Sequence, residues 1–280
     1  MNQALESVQN FFLGVGFIPI LVVLAVLGIY IFWAEAHATR KDRNSIFDLY
    51  IIAFIITIIW GRVSYILANP ADFQGLIWSI VPYEKYSDGI YYFRLLPWKF
   101  LKIWDGGFLY ISMYVAFTTI TFALSTFVKK WRWREMLGVI SISGSIMLGL
   151  SLFATGLYGE NVQVRNQGLG IIGIFVIYSV LHYLLKKALK NNRDSYEKNI
   201  FILHFAYFVI ANIYILFSLL SSEITKIDRY NLYALAVFCL LSSILYIYDM
   251  QKTNIVVDTV IKAPRLPKIG SAVRISKGKK

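Results

Sequence analysis

The sequence predicts an all-α polytopic membrane protein of about seven transmembrane helices, with its amino terminus outside and its carboxyl terminus in the cytoplasm. Three observations carry this. Of the 280 residues, 58% are hydrophobic and only 16% charged, a balance outside the range of a soluble domain of this length. Seven stretches reach or approach the roughly 20 apolar residues that cross hydrocarbon. The basic residues gather on alternate connections between them.

The first span, residues 11–33, follows an amino-terminal stretch that contains Glu6 and no basic region. That pattern predicts a retained helix rather than a cleaved signal peptide. The second span, 47–68 (FDLYIIAFIITIIWGRVSYILA), carries Arg62 near its end. A cation at that depth costs several kcal/mol or more without a partner, so a functional role is the first reading. Snorkelling toward the nearer face, which Trp60 and Tyr65 allow, is the plain alternative.

Residues 69–106 form the longest connection, with Pro70, Pro82 and Pro97 and a dense series of tryptophans, tyrosines and phenylalanines. Such amphipathic rings suit a segment lying in the headgroup layer. It ends in Asp105, Gly106 and Gly107, a permissive turn into the third span at 107–128. An acid beside a backbone able to approach a ligand reads either as the wall of a lipid site or as a loop-to-helix junction.

The fourth to seventh spans are expected at 137–158, 168–185, 200–221 and 231–248. Each must be helical, because an isolated strand leaves its backbone unsatisfied in lipid. The fourth is glycine-rich and the fifth short, so a re-entrant segment is an alternative at either. The membrane domain is expected over 1–250, followed by a basic, disordered cytoplasmic tail at 251–280.

Orientation follows from the positive charges. Twenty of the 28 lysines and arginines fall on the connections after the first, third and fifth spans and on the tail. That side is cytoplasmic. The net charge of +12 is spread over those loops with few aromatics between, which fits anionic lipid headgroups and not nucleic acid. No phosphate loop, metal-ligand cluster or cofactor motif is present in them. The single cysteine, Cys239, lies in the last span and reads as a buried thiol with no internal disulfide.

The ordered motifs WGRVSYIL in the second span, IWDGGF before the third and LYG at the end of the fourth resemble those of the prolipoprotein diacylglyceryl transferase family. The resemblance covers roughly residues 11–190, and the span count extends it weakly to the rest. It implies an enzyme of the bacterial cytoplasmic (inner) membrane that moves diacylglyceryl from phosphatidylglycerol to the lipobox cysteine of a lipoprotein precursor peptide. It assigns Arg62, Tyr65, Asp105, Gly106 and Gly107 to lipid binding. No metal or cofactor is implied.

The chain departs from the family pattern where the chemistry sits. Leu109 to Tyr114 (LYISMY) replaces a histidine-bearing stretch, and Met147 to Gly156 (MLGLSLFATG) replaces a run of arginine, asparagine and glutamate. A base is still needed, since the thiolate is the nucleophile. Glu160 and Tyr110 are the candidates for it, although a tyrosine with a pKa near 10 is a poor base at neutral pH. His37 and His182 lie at cytoplasmic ends, and His204 reads as a hydrogen-bonded structural group. Two functions therefore remain: a divergent transferase, or a catalytically silent relative that binds lipid or a partner.

Overall fold

The computed structural model describes residues 17–38, 41–73, 80–102, 107–159, 161–189, 193–222 and 224–262. It is an all-α molecule. The long helices are α1 (Phe17–Ala38) and α2 (Arg43–Ala68), followed by the short α3 (Trp98–Leu101) and then by α4 (Tyr110–Ala123), which runs into a π turn at Leu124–Val128. After these come α5 (Trp133–Tyr158), α6 (Val162–Ala188), α7 (Arg193–Leu220) and α8 (Lys226–Lys262).

Among the described residues, six helices (α2, α4 with its π turn, and α5 to α8) are long and apolar enough to cross a membrane by length and composition. In α1 the apolar stretch is the shorter Val22–Ala36. The chain divides into two compact units, Met1–Leu240 and Leu241–Lys280. Within the second, α8 continues through 251–262, the first part of the basic tail.

In the first unit α5 is the central helix: 78% of its apolar window is buried, against 28% for α2 and 17% for α6. The peripheral helices expose rows of large apolar side chains, Ile55 and Ile59 on α2 and Val176, Ile177 and Val180 on α6. Such rows suit hydrocarbon on the outside.

The glycine-rich fourth span and the short fifth span are both complete helices. Their glycines serve packing. A Cβ on Gly156 would run into the backbone of Arg165, and one on Gly168 into Phe153 N and Gly149 O, so α5 and α6 approach backbone to backbone. Apolar burial drives little association where lipid is equally apolar, so close contact between small residues is what joins these two helices.

Helix ends are closed by side chains. Asp42 accepts from Ser45 N at 3.0 Å at the start of α2, and Asn161 from Gln163 N and Val164 N at 3.0 and 3.1 Å at the start of α6. Thr225 Oγ1 accepts from Asp228 N at 3.1 Å ahead of α8, while Asp228 Oδ2 accepts from Thr225 Oγ1 at 3.1 Å. Asp228 also reaches across to α4, accepting from Ser112 N at 3.2 Å and Ser112 Oγ at 2.7 Å. The amino-terminal turn of α4 is thus capped by another helix.

The two ends of the bundle differ. At one, Lys41 Nζ pairs with Glu135 Oε2 at 2.7 Å among the basic connections; this is the basic end. At the other, the loop end, residues 69–109 join α2 to α4. That connection holds a 3-10 turn (Pro70–Phe73), an antiparallel hairpin of β1 (Tyr83–Tyr86) and β2 (Gly89–Tyr92), and α3. Tyr83, Tyr86, Ile90, Tyr91 and Tyr92 are exposed on the hairpin.

Candidate functional site

Arg62 sits in the last turns of α2, 9% exposed. Its Nε donates to Phe100 O at 3.0 Å, Nη2 to Lys99 O at 2.9 Å and Nη1 to Gly107 O at 3.2 Å. The first two carbonyls lie at the end of α3, where Lys99 O also accepts from Lys102 N at 3.4 Å. The guanidinium also lies 5.7 Å from the Tyr65 ring and 5.9 Å from that of Phe73. Arg62 is therefore the knot that ties the loop to α2. A planar fork of fixed donors suits this task where an ammonium would not.

Gly107 completes the knot. Its φ is +73°, a backbone region that glycine enters without a steric cost. A Cβ there would overlap Arg62 Nη1 and press on Tyr65 Cε1 at 3.0 Å. Arg62, Tyr65 and Gly107, assigned together from the sequence, are together in the structure. Asp105, Gly106 and Glu160 lie outside the described residues.

Directly below this knot, α4 lies against α2 where Met113 packs on Gly61, too close for any Cβ. Beside that contact a cleft of about 760 Å³, counting its open mouth, runs between α1, α2, α4 and α5. Leu24, Phe54, Met113, Phe117, Met147 and Leu148 give it apolar walls. Tyr110 and Thr155 stand toward the loop end, and Gly144 leaves room at mid-span. Methionine walls are soft and adapt to irregular apolar guests.

The polar groups on the cleft are few and mostly engaged. Tyr114 Oη donates to Asn212 Oδ1 at 2.8 Å, Ser151 Oγ to Met147 O at 2.8 Å and Thr155 Oγ1 to Ser151 O at 2.8 Å. Thr57, 3% exposed, has a hydroxyl with no hydrogen-bond partner among the described residues. No histidine, carboxylate, lysine, arginine or cysteine is among the lining residues. The cleft is built to hold an apolar chain, and its own walls supply no strong base.

Within Leu109–Tyr114, Ser112 is taken up by Asp228, and Asn231 Nδ2 donates to its Oγ at 2.7 Å. Tyr114 is taken up by Asn212. Tyr110 and Tyr114 both line the cleft, Tyr110 nearer the loop end.

A second polar cluster, at the basic end, was not legible in the sequence. Glu35 of α1 meets Tyr178 and His182 of α6 and His204 of α7. His204 is hydrogen-bonded, as its place in an apolar span suggested, but to a carboxylate that the span boundaries put outside the membrane. The one signal for it was the spacing of Tyr178 and His182, four residues apart and so on one helix face.

Comparison with protein-family models, with curated proteins and with solved structures gave no match to this chain.

Proposed function

We propose that this chain is a lipid-binding membrane protein whose cleft takes up an acyl chain of an anionic phospholipid such as phosphatidylglycerol in the outer leaflet. The cleft carries the reading: an apolar slot between membrane helices, soft-walled, free of charge and opening beside an arginine-held loop. The motif resemblance supports the same direction. The loop-end aromatics Tyr83, Tyr86, Tyr91 and Tyr92 suit the headgroup layer above it.

The test is a phosphatidylglycerol with a photoreactive group on its acyl chain, cross-linked in liposomes and mapped by peptide mass. Labelling concentrated on Phe54, Met113 and Met147 is the expected outcome, and Ser151→Phe, which fills the slot from the middle of α5, reduces it at least fivefold. Labelling spread evenly over lipid-facing residues such as Ile55, Ile59 and Ile177, and indifferent to Ser151→Phe, would refute the reading.

A second reading, diacylglyceryl transfer to a lipobox cysteine, is favoured by the position of Tyr110 on the wall of the cleft, three residues after the Gly107 turn. The proton of the thiol then has to be taken by a tyrosine or by Glu160. Liposomes of phosphatidylglycerol with a lipobox peptide decide it: glycerol phosphate release and a diacylglyceryl mass increase, both lost in Tyr110→Phe or Glu160→Gln, support transfer. Absence of product, with acyl-chain labelling intact, leaves the binding reading alone.

A further inference from the structure

At the basic end one tyrosine and two histidines surround Glu35. Glu35 Oε2 accepts from Tyr178 Oη at 2.9 Å and faces His204 Nε2 at 3.1 Å, while Oε1 lies 3.5 Å from His182 Nδ1, which is also 3.4 Å from Tyr178 Oη. The other nitrogens of the two imidazoles have opposite surroundings. His182 Nε2 lies 3.0 Å from Tyr196 Oη, which can either give or accept a proton. His204 Nδ1 is buried with no hydrogen-bond partner among the described residues.

That difference fixes where a proton can sit. A doubly protonated His204 would bury an N–H with no acceptor among the described residues, a desolvation that no hydrogen bond offsets. Its unpaired Nδ1 is therefore the lone-pair nitrogen of a neutral ring that donates through Nε2. A doubly protonated His182 has acceptors for both its N–H groups, Glu35 on one side and Tyr196 on the other. With Glu35 ionised it gives a cluster of zero net charge, the cheapest state in a low-dielectric interior.

Exposure agrees: the His182 side chain is 20% exposed and that of His204 1%. Among the described residues, the titratable groups facing Glu35 are Tyr178 and His182 from α6, and Tyr196, His204 and Tyr207 from α7. The α5 face brings up Gly138 against His204 and Ser145 against Tyr207, neither of them ionisable, and Glu135 is engaged by Lys41 and Arg132 instead. The two imidazoles hold different carboxylate oxygens, and no trio of His, Cys, Asp and Glu among the described residues is arranged for a metal ion.

We propose that Glu35, His182 and His204 form a proton-binding site at the basic end, in which a single exchangeable proton on His182 locks α1 onto α6 and α7. Loss of that proton leaves a buried anion between neutral donors and loosens α1. The same helix supplies Leu24 to the wall of the cleft, but the proton site stands independently of what the cleft binds.

The experiment is solid-state 15N NMR of histidine-labelled, full-length protein in phosphatidylglycerol bilayers. There are only three histidines, His37, His182 and His204, so His37→Gln, His182→Gln and His204→Gln assign every signal, two of the three sufficing if one variant fails to fold. Where the cluster holds one imidazolium it is expected on His182, with His204 a neutral ring protonated on Nε2. A pH series identifies the state that lacks this imidazolium.

Spin labels at the lipid-exposed positions Val26 on α1 and Ile177 on α6, in a Cys239→Ser background, then gain a longer-distance population. His204→Gln, which keeps a neutral donor, retains this response, and Glu35→Gln abolishes it. Imidazolium on His204 in place of His182, or a response that survives Glu35→Gln, would overturn the proposal.

Discussion

Replacing Arg62 by methionine keeps the length and apolar stem of the side chain and removes the fork that holds three carbonyls. Hydrogen bonds to a charged donor contribute about 1.5–3 kcal/mol each, which sets an upper figure of about 4.5–9 kcal/mol for the three. Lys99, Phe100 and Gly107 are themselves only half-buried, so their carbonyls recover water when the guanidinium goes. We therefore expect a loss of about 2–4 kcal/mol in equilibrium unfolding in mixed micelles. Limited proteolysis should cut first within residues 93–109, the part of the loop that Arg62 holds. Arg62→Lys should recover less than half of the loss, because one ammonium cannot reproduce the fork. An Arg62→Met protein of unchanged stability and unchanged loop protection would refute the knot, and a selective loss of lipid labelling in that stable variant would return Arg62 to a headgroup-binding role.

Gly107→Ala should cost about 1–2 kcal/mol from its positive φ alone and should be less than additive with Arg62→Met, because its Cβ displaces the same guanidinium; unfolding of the double variant measures this. Asp228→Ala strips the cap from α4 and should cost about 2–4 kcal/mol, with Asp228→Asn losing less because an amide oxygen still accepts; denaturant midpoints rank the three proteins. The Asp42 carboxyl is held below its ordinary value of 3.8, first by the hydrogen bond from Ser45 N. The stability it contributes is therefore complete above that value and lost as pH falls through the lower, folded value, so Asp42→Asn should flatten the acid limb of the stability profile.

The spans were legible because hydrocarbon imposes one requirement at every position: about 20 apolar residues with every backbone group paired inside the segment. Composition alone therefore predicted the helical class, and among the described residues six helices are long and apolar enough to cross. The grouping of Arg62, Tyr65 and Gly107 was legible for a similar reason, since an intramembrane cation and a glycine turn are each costly or special where they stand. What Arg62 does was not legible. The hydrogen-bond partners among the described residues are backbone carbonyls, which carry no side-chain signature and come from residues 37 to 45 positions away.

The fourth span's glycines illustrate the same divide. Read along the chain they suggested a break; in three dimensions Gly149 and Gly156 are the flat surface on which α6 lies, while Gly138 meets His204 of α7 and Gly144 meets Tyr114 and Phe117 of α4, because helix contact in lipid depends on how closely backbones can approach. The Glu35 cluster went unseen because its members are 143 and 169 residues apart, and each alone reads as an ordinary residue near a helix end. Sequence by itself determined the solvent of this protein and the class of its elements, because those depend on local composition. Only the tertiary structure decided which polar groups meet, since a buried charge is satisfied by whatever the packing of distant helices brings within hydrogen-bond reach.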